Sequence, residues 1–431
     1  MAVDNERTPM KAWLLLSILF LGYACSAADR EIISLLVEPI KRDLSFSDTQ
    51  IGLLQGVAFL AFYSIAGIPA GMLVDRRPRM KLLAVALSLW SFMTAFCGMA
   101  RTFTLLFIAR AGVGVGETFL SPAALSLISD VFPKRRHGFA IGIYVGGSLV
   151  GSSIAVGFGG LLYGWLAPRG AVNLPLLGHL EPWQMTFILV GLPGFLIAAA
   201  FLLTAEPPRL GAPSQPGSGG VREFYREHWR FISFHHAANG FTNLLAGGVT
   251  AWGASYLIRT FGSDVESVGP LLGFAFLIGG IAGMIGGGVL SDKLLRYGGS
   301  ARLWMCGGCA ALGALAALFL PSVDSVYAGA FLIGLIVMFG SVPYSVANAA
   351  LQEIVPSGIR GTVSAIYYFT ISVLGSIGPS AIAFVTDKVF ADPARLSESL
   401  SIVVTTAFLV SMILYLLAIR PYRLVGQRGV V

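Results

Sequence analysis

The 431 residues are 55% hydrophobic and only 12% charged, with a mean hydropathy of +0.78. Soluble globular domains carry roughly twice that share of charge, so the soluble classes are excluded and a polytopic membrane chain remains. Lys and Arg exceed Asp and Glu by seven, an excess that a membrane chain distributes by side rather than spends on nucleic acid.

Taken in order, apolar blocks occupy 13–37, 51–74, 82–100, 104–128, 139–166, 184–204, 231–258, 266–290, 303–320, 327–351, 362–386 and 399–419. Each is a continuous run rather than an alternating ten-residue pattern, which predicts an all-α membrane protein of about twelve transmembrane helices. Lys11 before the first block and Ala24, Ser26 and Ala27 late in it imitate a signal peptide. Apolar sequence resumes at Ile32 and Ile33 after only three charges, so the block is read as a span.

Between the spans, Lys41, Arg42, Arg101, Arg169, Arg259, Lys388 and Arg395 fall on one side, and Arg30 and Arg110 lie within spans. The remaining 20 basic residues fall on the other side. This asymmetry predicts that both termini are cytoplasmic. The longest polar interval carries Pro207, Pro208, Pro213 and Pro216, then Arg222-Glu-Phe-Tyr-Arg-Glu-His-Trp-Arg230. It reads as a flexible linker followed by an interfacial amphipathic helix. The expected organisation is a six-helix bundle over 1–204, a cytoplasmic linker over 205–230 and a second six-helix bundle over 231–431.

The halves echo each other. Gly71-Met-Leu-Val-Asp75-Arg76 after the second span matches Gly288-Val-Leu-Ser-Asp292-Lys293 after the eighth. Val131-Phe-Pro133 with Ile143-Tyr144 matches Ile354-Val-Pro356 with Ile366-Tyr367. Parallel six-helix repeats with a site between them are the architecture of secondary transporters.

Within the first span stand Asp29, Arg30 and Glu31, and within the fourth stands Glu117 among Gly112, Gly114 and Gly116. Ionisable groups at membrane depth are costly and mark functional sites. Arg30 stays charged, while Asp29 and Glu117 can exchange a proton. The static alternative is a structural ion pair, which by itself adds little stability over apolar packing.

Gly71 to Lys81, with Asp75, Arg76 and Arg79, resembles the signature loop between helices 2 and 3 of the major facilitator superfamily, with Pro78 and Met80 departing from its pattern. Arg110-x-x-x-Gly114-x-Gly116 resembles that superfamily's helix 4 motif, and Glu206-Pro207-Pro208-Arg209 resembles its Pro-Glu-Ser-Pro-Arg element. The resemblance implies the superfamily fold, with helices 1 and 4 lining a central cavity where Arg30 and Glu117 meet. It implies that Asp29, Arg30, Glu117 and Arg110 carry proton coupling and substrate binding. It also implies a conformational gate of Gly71, Asp75, Arg76, Arg79 and Asp130, in which Asp75 caps a facing helix and a loop arginine pairs with Asp130. For Arg110 the alternative is hydrogen bonding to backbone carbonyls of a neighbouring helix.

Asp29-Arg30 with Gly114-Val-Gly116-Glu117, Pro122-Ala-Ala124 and Asp130-Val-Phe-Pro133 is most similar to the Spinster family. That resemblance implies proton-linked transport of an anionic amphiphile such as a lysophospholipid or sphingosine phosphate. The organic anion:proton symporters that take up sugar acids share the helix 1 pair, and multidrug-type efflux of amphipathic compounds is the further alternative. Asn239, Asn243 and Tyr367, with Tyr368 and Asn348, are expected along the cavity or as interhelical hydrogen bonds. Phe59, Phe62, Phe119 and Phe274 are candidates for an apolar wall.

Cys306-Gly-Gly-Cys309 lacks the second pair that a zinc site needs, so these and Cys25 and Cys97 are read as packing residues. No cofactor, no nucleic acid and no enzyme activity are expected, since no nucleophile stands with a base and no phosphate-binding loop occurs. The expected partners are substrate and protons. The expected setting is a monomer in a bacterial inner membrane.

Overall fold

The computed structural model describes residues 10–133, 136–175, 178–209, 218–356 and 359–427. The proline-rich part of the linker, with Pro213 and Pro216, and the basic residues Arg7, Lys134, Arg135 and Arg428 lie outside the described residues.

The chain is helical almost throughout, as an all-α membrane fold requires. Its helices are α1 (Met10–Leu35), α2 (Val37–Leu44), α3 (Asp48–Gln55), α4 (Val57–Arg76), α5 (Arg79–Cys97), α6 (Phe103–Glu117), α7 (Leu120–Val131) and α8 (His137–Leu166). They continue with α9 (Pro182–Leu203), α10 (Ser218–Glu227), α11 (Trp229–Phe261), α12 (Val265–Ile281), α13 (Gly287–Leu294), α14 (Ala301–Leu318), α15 (Val326–Ile354), α16 (Arg360–Gly375), α17 (Ile377–Phe384) and α18 (Leu396–Gln427). A short antiparallel hairpin, β1 (Val172–Leu174) and β2 (Gly178–Leu180), joins α8 to α9.

Eleven segments among the described residues are helices long and apolar enough to cross a bilayer. The seventh apolar block, 231–258, is not among them. It lies in α11, whose 33 residues include Arg230, His235, His236, Asn239, Asn243 and Arg259. The helix is long enough to span but is buried against α15, α16, α17 and α18, and polar residues on such a helix can bond to protein rather than face lipid.

Several spans are interrupted. Leu36 separates α1 from α2, Gly56 separates α3 from α4, Thr118 and Phe119 separate α6 from α7, and Ser376 separates α16 from α17. Residues Ala282–Gly286 and Val385–Phe390 are π-helical. Two interruptions meet: a Cβ on Gly56 would stand 2.3 Å from the Ser376 carbonyl oxygen, so only glycine permits the approach.

The residues gather into two compact units, Met1–Ile32 with Ala61–Ser214, and Ile33–Leu60 with Gln215–Val431. Residues 33–60 belong by sequence to the first six helices, yet they pack with the second unit, where α3 lies on α17. In the first unit α5 packs between α6 and α9. Gly116 lets α6 approach α5, because a Cβ there would lie 2.7 Å from Trp90 Cβ. In the second unit α11 is central, and its lower turns join a core of Phe224, Phe231, Tyr367, Tyr415 and Tyr422.

These contacts predict that Gly116→Ala lowers stability by about 1–3 kcal/mol through overpacking against Trp90. At Gly71 a Cβ meets nothing within 4 Å among the described residues. Gly71→Ala should therefore leave the unfolding midpoint unchanged or slightly raised. Thermal unfolding of both detergent-solubilised variants checks the contrast.

Candidate functional site

The first unit places three ionisable groups of α1 beside the end of α6. Asp29 is 0% and Glu117 3% exposed, at positions the apolar runs of both helices carry into the interior. Arg30 Nε stands 3.4 Å from Glu117 Oε2, with the Arg30 side chain 31% exposed and that of Glu117 2%. Thus the arginine is reachable while its carboxylate is enclosed. Ser26, one turn before Arg30, donates from Oγ to the same Oε2 at 2.7 Å.

Glu117 is the last residue of α6. After it Thr118 and Phe119 form a turn that keeps right-handed helical torsions, and the Thr118 hydroxyl donates to the Gly114 carbonyl at 2.9 Å and the Tyr63 carbonyl at 3.2 Å. Asp29 accepts a long contact from Cys25 Sγ at 3.9 Å. Its other oxygen faces Thr94 and Trp90 of α5 without hydrogen-bond geometry.

Arg110 is 2% exposed and donates from Nη1 to the Asp29 carbonyl at 2.9 Å and from Nη2 to the Arg30 carbonyl at 3.3 Å. It takes the backbone role that the sequence left as an alternative. The guanidinium holds the α1 main chain at the two residues whose side chains form the site.

A second cluster surrounds Arg79, which is 0% exposed at the start of α5. Arg79 pairs with Asp130 of α7. It also donates to Ser126 Oγ at 2.8 Å, to Glu206 Oε1 at 3.0 Å and to the Pro207 carbonyl at 2.9 Å. Glu206 Oε2 accepts from the Met80 backbone N–H at 2.8 Å, a carboxylate at a helix N-terminus. From the same segment Arg209 donates to the carbonyls of Val74, Asp75 and Arg77 at the end of α4. Glu206-Pro-Pro-Arg209 therefore caps both helices that flank the signature loop. The side chains of Asp75 and Arg76 are exposed.

The second unit repeats the pattern. Arg302, 7% exposed, pairs with Glu353 and with Asp292 at 3.4 Å, and donates to Ser291 Oγ at 3.3 Å. Tyr422 donates to Glu353 at 2.6 Å. Sequence reasoning noted Asp292 as an echo of Asp75 but missed Arg302 and Glu353. The signal available was an arginine just before the ninth apolar block, as Arg79 stands just before the third.

Also missed is a cluster on the opposite end of the second unit. Arg259 of α11 grips Asp48 bidentately at 2.7 and 2.8 Å and donates to Glu38 at 2.8 Å. Lys41 also pairs with Asp48, which is 0% exposed. Next to it, Asp387 accepts from the Thr49 backbone N–H at 2.6 Å and from its hydroxyl at 2.7 Å, capping α3.

The expected cavity residues take interior positions. Asn239 donates to the His235 carbonyl in its own helix, and Asn243 donates to the Ile371 carbonyl of α16, both at 2.9 Å. Tyr367 is 1% exposed and packs against His235, His236 and Tyr368, so it belongs to the core of its unit. Asn348 donates to Tyr368 Oη at 2.9 Å. Phe59 is buried, whereas Phe62 and Phe274 are 38% and 65% exposed. Cys306 and Cys309 are free thiols. Among the described residues no group of three His, Cys, Asp or Glu side chains is gathered for a metal.

Helical spans in two units, an intramembrane arginine–carboxylate pair and arginine clusters at the loop ends define a membrane transport protein of the two-repeat type. The chain belongs to the Major Facilitator Superfamily, whose family model matches residues 19–379. It is 28% identical to an MFS-type efflux pump of Mycolicibacterium smegmatis (strain ATCC 700084 / mc(2)155), over 98% of this chain and 97% of that one. It is 26% identical to a probable L-galactonate transporter of Escherichia coli (strain K12), over 86% and 82%. Its fold is similar, with a TM-score of 0.80 and 24% identity over 98% of both chains, to a bacterial homolog of the human lysosomal transporter Spinster in an inward-facing and unoccupied conformation. The Spinster likeness read from the sequence is thus met in the fold.

Asp48→Ala would leave Arg259 and Lys41 without their shared carboxylate. The expected loss is about 3 kcal/mol of stability, as when one member of a buried pair is removed, seen as a lower unfolding midpoint. Lys388→Ala, of a residue outside the cluster, should leave the midpoint in place.

Proposed function

We propose that this protein is a secondary active transporter that works by alternating access, is coupled to protons and moves an anionic amphiphile of the lysophospholipid or sphingosine-phosphate kind. The single observation that carries this reading is the Arg30–Glu117 pair, a reachable cation against an enclosed carboxylate on two helices of the first unit. With Glu117 ionised, Arg30 is held. When Glu117 takes a proton, the guanidinium is released to grip a phosphate or carboxylate head group, for which its fork is suited. Asp29, buried beside them, is the second protonation site, and Arg110 keeps the α1 backbone in register.

In this reading the halves 1–204 and 231–431 move about the 205–230 linker, with both termini in the cytoplasm of a bacterial inner membrane and the protein acting as a monomer. The Arg79 and Arg302 clusters then lie on the cytoplasmic side, where Gly71, Asp75 and Arg76 complete the gate. The Arg259 cluster lies on the outer side and has to release residues 33–60 when that side opens. Such contacts bias the equilibrium between states because they exist in only one of them.

The relation to a probable L-galactonate transporter favours a second reading, proton-coupled uptake of sugar acids, and the relation to an efflux pump favours export of amphipathic compounds. Reconstituted vesicles under an imposed pH gradient separate the three. The expected result is gradient-driven movement of lysophosphatidylglycerol, with galactonate and a cationic dye left behind. Galactonate flux alone, or dye flux alone, overturns the choice of substrate. Arg30→Ala and Glu117→Gln that insert normally should lower the flux by roughly 30-fold or more, the equivalent of about 2 kcal/mol of lost charge pairing. Wild-type rates in both reduce the pair to a structural one.

A further inference from the structure

Ser26 stands out as a polar residue of α1 that the proposed switch does not use. It is 2% exposed, and its hydroxyl has one strong hydrogen bond, 2.7 Å to Glu117 Oε2. Arg30 Nε approaches that same oxygen at 3.4 Å. Ser26 and Arg30 are one helical turn apart and so share a face of α1. Glu117 Oε1, equally buried, has no hydrogen-bond partner among the described residues. The two oxygens of this carboxylate are therefore unequal: both donors crowd onto one and the other is left open.

We infer that Ser26 is a positioning residue for Glu117, anchoring Oε2 in both protonation states so that the proton is taken up and released at Oε1. The inference rests on the reading of Glu117 as a proton carrier and assigns the atom at which it acts. An ionised Glu117 accepts at Oε2 from a neutral hydroxyl and a guanidinium together. On protonation the new O–H bond forms at Oε1, and Oε2 becomes the carbonyl oxygen of a neutral acid. That oxygen still accepts from Ser26, while the charge attraction to Arg30 is gone. Without the hydroxyl, the neutral carboxyl has nothing to hold it when Arg30 leaves, and each cycle must find the pairing geometry again. Serine suits the task because its hydroxyl can donate to the oxygen in either state, more strongly when the carboxylate is charged.

The other ionisable groups facing Glu117 are Cys25 and Asp29 on α1, Tyr63 on α4 and Arg110 on its own helix. Among the described residues the side-chain hydrogen bond to Glu117 comes from Ser26 and not from these four.

The test is an infrared pH titration of the full chain reconstituted in vesicles, with no substrate added. The carboxylic C=O band of protonated Glu117 is assigned by its loss in Glu117→Gln. In the wild type and in Ser26→Thr this band should lie at the lower frequency of a hydrogen-bonded carbonyl. In Ser26→Ala it should move to higher frequency, with its titration midpoint displaced to higher pH by about one unit, because a hydrogen bond favouring the charged form has been removed. Should the alanine variant fail to insert, Ser26→Cys, a weaker donor, should show the same displacement in smaller degree. An unchanged band and midpoint in Ser26→Ala, or in the cysteine variant in its place, overturns this inference alone. A wild type with no titrating band lost in Glu117→Gln overturns the reading of Glu117 as well, and this inference with it.

Discussion

A guanidinium keeps its charge in any surroundings a protein offers, so a fold that buries one has to bring acceptors to it. Among the described residues four arginines are nearly or fully enclosed, Arg79, Arg110, Arg259 and Arg302, and each organises the helices around it. Arg79 draws together the start of α5, the end of α7 and the segment after α9. Arg302 does the same for α13, α14 and α15 in the second unit. Arg259 gathers α2 and α3 onto α11. Arg110 turns to the main-chain carbonyls of Asp29 and Arg30. In doing so it makes the backbone of α1 part of the site rather than a mere carrier of side chains.

Arg30 is the exception, and the exception carries the chemistry. It shares one oxygen of Glu117 with Ser26 and keeps its side chain partly exposed. A pair enclosed on one side and open on the other can exchange partners, whereas Arg259 grips a fully buried Asp48 bidentately. Beside Glu117, Thr118 donates to the Gly114 carbonyl of its own helix and to the Tyr63 carbonyl of α4, which ties α4 to this corner. Close approach through Gly116 brings α5, with Trp90 and Thr94, against this corner and leaves little room for water around Asp29.

The repeat seen in the sequence extends to these clusters. Tyr144 and Tyr367, matched across the halves, are both about 1% exposed, and Asp75 and Asp292 both carry exposed side chains, of which Asp292 pairs with the buried Arg302. The centre does not repeat. Where α1 and α6 set charges against each other, the second unit presents His235, His236 and Asn239, bonded to carbonyls or to one another. The charge work falls to the first unit, and the polar residues of α11 tie the second one together.

The sequence alone determined the class, the near-complete set of spans, the two repeats and the ionisable residues at membrane depth. Hydropathy and periodicity are local properties, and a charge such as Glu117 in an apolar run shows itself wherever its partner lies. Only the tertiary structure decided the partners. Ser26 resembles any other serine of a span until α1 meets α6. Asp48 and Arg259, 211 positions apart, look like separate loop charges until residues 33–60 pack with the second unit. Tyr367 looked like a wall residue, and α11 like an ordinary span, because neither composition nor spacing says which face of a helix meets its neighbours. Those choices depend on close approach at residues such as Gly56 and Gly116, and on bringing acceptors to the buried guanidiniums, which are properties of the packed helices and not of any one segment.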